Sequence, residues 1–157
     1  MGGDGNGWVE CALGHRHWGR FGAAGLLVTD GYRVVLQHRA PWTHNGDTWA
    51  LPGGARDSHE NVLTTALREA AEEAALDPAS VVPIGEVVDD HGGWSYTTVL
   101  AQALVELEPR AANAESIEVR WWSIAEVGDL RLHRGFASAW PHLRDLLERP
   151  DAGGRPG

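Results

Sequence analysis

The chain has 157 residues, 43% hydrophobic and 22% charged, which suits one soluble globular domain with a single substantial core and leaves too little for two. Its net charge of −9 argues against a protein that tracks along a nucleic-acid polymer, because such binding exchanges counterions for basic side chains. The apolar runs, such as Ala23 to Val28, are too short to cross a bilayer, and the amino terminus lacks a basic segment followed by an apolar one. The only cysteine, Cys11, can form no internal disulfide, and together these features predict a cytoplasmic protein without a membrane partner.

In chain order, Met1 to Gly7 offers nothing to pack and is expected to fray, as is Pro150 to Gly157, leaving one domain over residues 8–149. Ala23 to Thr29 and Tyr32 to His38 are β-prone runs joined by Asp30-Gly31, a two-residue hairpin signal, so an antiparallel pair is expected to open the fold. Trp49 to Leu51 reads as a short extended piece stopped by Pro52, Gly53 and Gly54. Asn61 to Ala75 then reads as a helix, with Asp57 or Ser58 as candidate caps. Val81 to Val88 and Trp94 to Leu104 are expected strands joined through Asp90-His91-Gly92-Gly93, and Glu118 to Ile124 is another. Gly135 to Glu148 is amphipathic and predicts a helix that Pro141 should start or kink. The order and lengths suggest a mixed sheet flanked by helices, in the α/β or α+β range.

The chemistry concentrates between Gly54 and Leu76, where the chain reads GARDSHENVLTTALREAAEEAAL. On a helix, Glu69, Glu72 and Glu73 stand at i, i+3 and i+4 and share one face, while Leu63, Leu67, Ala70 and Ala74 occupy a face suited to packing on a sheet. Like charges at that spacing repel by a few tenths of a kcal/mol per pair, a cost that a hard cation relieves. Carboxylates alone often form a merely solvated face. Here they follow a Pro-Gly-Gly turn whose backbone can approach a ligand closely, and Arg68 adjoins Glu69 and Glu72 as a possible orienter.

These residues resemble the box of the Nudix hydrolases: Gly54, Glu60, Arg68, Glu69, Glu72 and Glu73 fall on the family's spacing, with Leu76 at the closing aliphatic position. At a typical residue frequency of roughly 0.07 per position, six such matches arise by chance on the order of once in 10⁷ start points. Trp49-Ala50-Leu51-Pro52-Gly53 also looks like the usual lead-in. Two positions depart from the pattern, since Ala75 and His59 stand where glycine is usual; alanine at the helix end lacks left-handed freedom, so the helix is expected to run on or end differently.

The resemblance implies an α/β/α sandwich with a mixed β-sheet between helices, and magnesium-dependent cleavage of a pyrophosphate bond in a small nucleotide by water attack at phosphorus, with manganese as a substitute metal. It implies Glu69, Glu72 and Glu73 as metal ligands with the Gly54 carbonyl as a further one, Glu60 as a brace for the loop, and Arg68 as an orienter of a neighbouring glutamate. Gly53 and Gly54 would approach the substrate, and Arg39, at the end of the second predicted strand, resembles an arginine that meets substrate phosphates. The general base is either a box glutamate or one from a later loop, for which Glu115 is preferred over Glu118 because Glu118 falls in a predicted strand. The plain reading of Arg39, Glu115 and Glu118 is exposed surface charge.

Cys11, His15 and His17 form a Cys-x3-His-x-His cluster able in principle to ligate zinc, but the sequence offers no fourth ligand and the expectation is against a site. Most of the eight tryptophans should be core or interface anchors, with Trp18, Trp42 and Trp94 as candidates for stacking on a nucleobase. The substrate expected is a nucleoside triphosphate or a nucleoside diphosphate linked to another group. A non-catalytic nucleotide sensor and an RNA 5′-pyrophosphohydrolase are the alternatives, the second disfavoured by the acidic charge. A homodimer is compatible with the family and the tryptophan content.

Overall fold

The computed structural model describes residues 3–149. The chain opens with a short hairpin, β1 (Trp8–Glu10) and β2 (Arg16–Trp18), paired antiparallel from Trp8 opposite Trp18 to Glu10 opposite Arg16. The expected opening pair, β3 (Ala23–Thr29) and β4 (Arg33–Arg39), therefore comes second. Polar alternation and two histidines hid the first hairpin. Asp30 closes the β3–β4 turn by accepting from the Tyr32 and Arg33 amides.

The main sheet runs β5 (Trp49–Ala50), β4, β3, β8 (Ser95–Ala103), β7 (Val81–Asp90), with β6 (Gly53–Ala55) paired to β3 and β9 (Ser116–Ser123) paired to β4. The β3–β8 pairing is parallel and the others are antiparallel, which makes the sheet mixed. All seven residues of β3 are buried, as its central place between two helical layers requires. Alternation divides the core: Ala24, Leu26, Val28, Val35, Val99 and Ala101 face the helix α1 (Val62–Ala74). Leu27, Val34, Leu36 and Leu100 face α2 (Arg134–Glu148), through Phe136, Trp140, Leu143 and Leu147. The result is the expected α/β/α sandwich. Among the described residues, no helix is long and apolar enough to cross a membrane.

Several local expectations need correction. Asn61, rather than Asp57 or Ser58, caps α1, its side chain accepting the Thr64 amide at 2.8 Å. Pro141 neither starts nor breaks α2, which continues through it from a cap at His133. Ala75 does not let α1 run on: it takes the left-handed conformation at φ 57° and ψ 34°, and the amides of Ala75 and Leu76 both donate to Ala70 O. His59 is exposed and stays out of the left-handed region, so its side chain costs no strain. Residues 3–7, expected to fray, lie along the loop before α1: Gly5 N donates to Asp57 Oδ1 at 2.9 Å, and the Asp4 carboxylate accepts from the Ser58 amide and hydroxyl. Met1, Gly2 and residues 150–157 fall outside the described residues.

An L-residue in the left-handed region costs about 1–2 kcal/mol. Ala75→Gly is therefore expected to stabilise the fold by about 1 kcal/mol after the added unfolded-state entropy, raising the Tm by about 2–4 °C in a thermal melt. An unchanged or lowered Tm would contradict a strained cap.

Candidate active site

The site is assembled where β6 hands the chain to α1. β6 lies against the start of β3, and the loop from Arg56 to Glu60 returns to the helix, where Glu60 accepts the Asp57 amide at 3.1 Å and the Thr65 hydroxyl at 3.0 Å. Arg68, two turns further on, donates to both Glu60 oxygens, from Nε at 2.7 Å and from a terminal nitrogen at 2.8 Å. This two-toothed pairing is the strong geometry for guanidinium and carboxylate. Arg68 also reaches the Ala55 carbonyl at 3.1 Å and a Glu69 oxygen at 2.9 Å, with a Glu72 oxygen at 3.6 Å. One side chain thus ties β6, the loop and the helix.

Glu60 is only 3% exposed although it lies at shallow depth, sealed by its partners rather than by the core. The Arg68 hydrogen bonds outweigh its burial and hold its pKa at about 2, with the Asp57 amide and the Thr65 hydroxyl acting the same way. Glu60 thus accepts four hydrogen bonds, three on Oε1 and one on Oε2, which tie the loop to the helix.

The three helix carboxylates do not share one environment. The Glu72 side chain is 55% exposed, that of Glu69 15%, and Glu73 is buried, accepting the Gly53 amide at 3.1 Å. Burial raises the Glu69 and Glu73 pKa values; on Glu69 the Arg68 charge opposes the rise and the Glu72 charge adds to it, and on Glu73 the Glu69 and Glu115 charges both add to it. Their carboxyl groups are close enough to share a proton. A Cβ at Gly54 would sit 2.5 Å from the Glu69 carboxylate, and one at Gly53 would meet the Ala24 carbonyl and the Tyr96 hydroxyl, each at 2.7 Å. The Gly-Gly pair thus leaves the carboxylates their space. Glu69 and Glu73 offer partly buried carboxylate oxygens of the kind that fits a hard divalent cation, while the three box carboxylates are not all gathered within 4.8 Å of one another, as Asp57, His59 and Glu60 beside them are.

Glu115 approaches from another direction. The segment after β8 crosses the end of α1, its Arg110 and Ala112 amides donating to the Ala74 and Glu73 carbonyls at 3.2 and 3.0 Å. Ala40 N then donates to Glu115 O at 2.9 Å and anchors the residue just ahead of β9. Glu115 is exposed yet within electrostatic reach of Glu73. Glu118 sits inside β9 opposite His38.

Arg39 ends β4 and donates to the His44 carbonyl at 2.8 and 3.2 Å. Two neighbours were not singled out from the sequence. Tyr96, on β8, brings its hydroxyl against Gly25 and Gly53, and although the ring keeps some solvent contact, burial of the phenol and the nearby Glu73 and Glu69 charges push its pKa up. His133 is lowered to a pKa of about 4 by burial, with the Arg39, His44 and Arg134 charges acting the same way. Neither carries a local sequence signal, because only the β3–β8 register and the fold of residues after β9 bring them in.

The family model of the NUDIX domain matches residues 19–146. A Mycobacterium tuberculosis protein named "Putative 8-oxo-dGTP diphosphatase 3" is 51% identical over 153 residues, covering 90% of this chain and 70% of that protein. A Bifidobacterium longum "Nucleoside triphosphate pyrophosphatase/Nudix hydrolase fusion protein" is 39% identical over 153 residues, 92% of this chain and 32% of the fusion. Among solved structures, the Nudix hydrolase RenU of M. smegmatis superposes with a TM-score of 0.77 at 48% identity, covering 90% of this chain and 94% of that one. With the box, the sandwich and these relatives in agreement, the chain belongs to the Nudix hydrolase family.

Removing one partner of a sealed ion pair leaves the other charge uncompensated, at a cost of about 3–5 kcal/mol when fully buried and less here because Arg68 keeps solvent contact. Glu60→Gln is expected to lose about 2–3 kcal/mol and about 5–10 °C in Tm. Glu60 has a folded pKa below its unfolded value, so its stabilisation is complete above about pH 4.5 and disappears as the pH falls toward 2. That acid-labile component should be missing from the stability curve of Glu60→Gln, measured by denaturant titration across this range.

Proposed function

We propose that this chain hydrolyses the pyrophosphate linkage of a nucleoside triphosphate, an oxidised guanine nucleotide foremost, with magnesium held by Glu69, Glu72 and Glu73. The observation that carries the reading is the convergence of Glu69 and Glu73 beside Gly53 and Gly54, carboxylates whose burial, with a neighbouring negative charge on each, raises their proton affinity. The name of the M. tuberculosis relative points to the substrate class. The Gly54 carbonyl is a further oxygen donor at the same place. Magnesium bound there, or manganese in its stead, supplies neutralisation of the diphosphate and a lowered pKa for the attacking water.

The residues divide the remaining work. Arg68 holds Glu69 and Glu72 in position, and its own position is set by Glu60. Glu115 takes the proton from the attacking water as the new oxygen–phosphorus bond forms and the bridging phosphorus–oxygen bond breaks, the leaving phosphate keeping the bond electrons. Its exposure lets that proton pass on to solvent. Arg39 meets the substrate phosphates from the end of β4, and Gly53 and Gly54 permit close approach of the diphosphate. The His44 ring meets Trp8 edge-on at 5.8 Å, and Trp8 meets Trp18 edge-on at 5.3 Å. The half-exposed Trp8 and Trp18 therefore extend from the Arg39 loop as the platform for the base. Trp94 is a poorer choice because His17 already stacks on it at 3.9 Å.

The test is a panel of ordinary and oxidised nucleoside triphosphates, ADP-ribose, nucleotide sugars and dinucleoside polyphosphates, assayed with magnesium for phosphate or pyrophosphate release. An oxidised guanine triphosphate is expected to turn over best. Glu72→Gln or Glu73→Gln should reduce turnover by about 100-fold or more. Glu115→Gln should lower kcat by about 10²–10⁴-fold with little change in KM, whereas Arg39→Ala should chiefly raise KM. Strong metal-dependent turnover surviving both box changes would remove this helix from the reaction. A compound that raises the Tm without being cut would mark a nucleotide sensor instead.

A further inference from the structure

The β1–β2 hairpin brings together side chains that the hydrolytic reaction does not use. Cys11 follows β1, and its amide donates to the His15 carbonyl at 2.9 Å while its carbonyl accepts from Gly14 at 2.9 Å, a tight turn with Gly14 at φ 82°. This turn carries Cys11, His15 and His17 to one side. The hairpin then docks on the turn between β7 and β8, where Ala12 N donates to Gly92 O at 2.7 Å. Gly92 sits at φ 73°, and a Cβ there would lie 2.6 Å from the Ala12 methyl. That close approach delivers His91, the ligand missing from the sequence pattern.

One ligand atom from each of Cys11, His15, His17 and His91 lies within 4.8 Å of the other three. Bond lengths of about 2.0–2.3 Å to nitrogen and sulfur put the donors of a tetrahedral ion roughly 3.3–3.8 Å apart, so modest side-chain rotation closes the set. Two of the nitrogens have no other use: His17 Nε2 and His91 Nδ1 are buried without a hydrogen-bond partner. Buried polar atoms in folded proteins are nearly always satisfied, and each exception asks for a missing ion or water. The other nitrogen of His91, Nε2, pairs with Asp89 Oδ2 at 3.0 Å. This carboxylate–imidazole contact is the arrangement that turns the opposite lone pair of a histidine toward a metal. His17 is fixed by its near-parallel stack on Trp94, 7° between planes, and its ring stands 4.7 Å from that of His91.

We propose that Cys11, His15, His17 and His91 form a four-coordinate zinc site that staples the β1–β2 hairpin to the β7–β8 turn. One thiolate and three imidazoles match a borderline-soft ion and offer nothing to magnesium. Four protein ligands close the coordination sphere, so the site is structural and binds no substrate. The only cysteine of the chain, buried at 5% exposure, is thereby a ligand, and zinc compensates the charge of its thiolate.

Apo protein of the full chain is titrated with Co²⁺ and then with Zn²⁺. One Co²⁺ per chain is expected to give the sulfur-to-cobalt charge-transfer band and the intense visible bands of four-coordinate cobalt, both removed by Zn²⁺. Cys11→Ser should lose the charge-transfer band, and His91→Ala should weaken zinc binding by at least about 10-fold. Zinc should raise the Tm of the unaltered chain and leave that of Cys11→Ser unchanged, with equal apo melting temperatures showing that the variant folds. Glu73→Gln, altered at the other site, should keep the full cobalt spectrum. Weak six-coordinate cobalt bands without charge transfer would overturn the assignment. Spectra that survive in both Cys11→Ser and His91→Ala would overturn it equally.

Discussion

The grip of Arg68 on Glu60 is the interaction on which the rest of the site depends. It joins a residue before the helix to one two turns into it, and the same guanidinium reaches the β6 carbonyl of Ala55 and the carboxylate of Glu69. Without it, Glu69 would be a largely buried carboxylate beside the negative charge of Glu72, without the guanidinium that now offsets it. Like charges a few ångström apart repel by on the order of a few kcal/mol at an effective dielectric of about 20. The fold tolerates that repulsion because the sandwich sets where the helix lies. Ala66, Ala70 and Ala74, all buried, let α1 sit close to β3 and fix its rotation. Larger side chains on that face would lift the carboxylates away from Gly53 and Gly54.

Much of this was legible in the sequence because it depends on short-range spacing. The i, i+3, i+4 carboxylates, the Gly-Gly pair and the alternation of β3 are local patterns, and the helix and strand boundaries fall within a residue or two of them. What escaped depends on tertiary contact. Three glutamates at helical spacing gave no hint that Glu73 would be sealed while Glu72 stayed in solvent, since that difference comes from the sheet on one side and the segment after β8 on the other. Ala75 shows local propensity losing to context: the Arg110 and Ala112 amides bond the last helical carbonyls, so the chain must turn where glycine would have turned it, and alanine bears the strain. The capping residue was misplaced for the opposite reason, because Asp57 is occupied by Gly5 from the amino-terminal segment.

The hairpin before the sandwich illustrates the same limit from the other side. Trp8–Glu10 and Arg16–Trp18 are too short and too polar to announce strands, and three of the four residues gathered beyond them were visible as a cluster with one member lacking. That member, His91, is distant in sequence and arrives through a glycine turn read only as a connection. The hairpin also carries Trp8 and Trp18 toward the loop that Arg39 holds, so under the proposed function its placement would bear on the base of the substrate as well as on the fold.

The proposed carboxylate site and the proposed zinc site, of opposite donor chemistry on one small domain, would impose a condition on each other. Zinc outcompetes magnesium at almost any oxygen or nitrogen donor, so a cluster of glutamates open to solvent is exposed to the wrong metal. The defence available to a protein is the difference in donors: a thiolate with three imidazoles offers zinc far more than carboxylates do, while magnesium keeps its preference for oxygen and for retained water. Between the two lies β8, which begins beside Trp94, itself stacked on His17, and within two residues presents Tyr96 to Gly53. A hairpin held to the β7–β8 turn therefore also holds the start of β8. The Tyr96 hydroxyl stands against the glycines that make room for Glu69 and Glu73, so the proposed zinc staple would act as a support for the carboxylate site rather than as a second reaction centre.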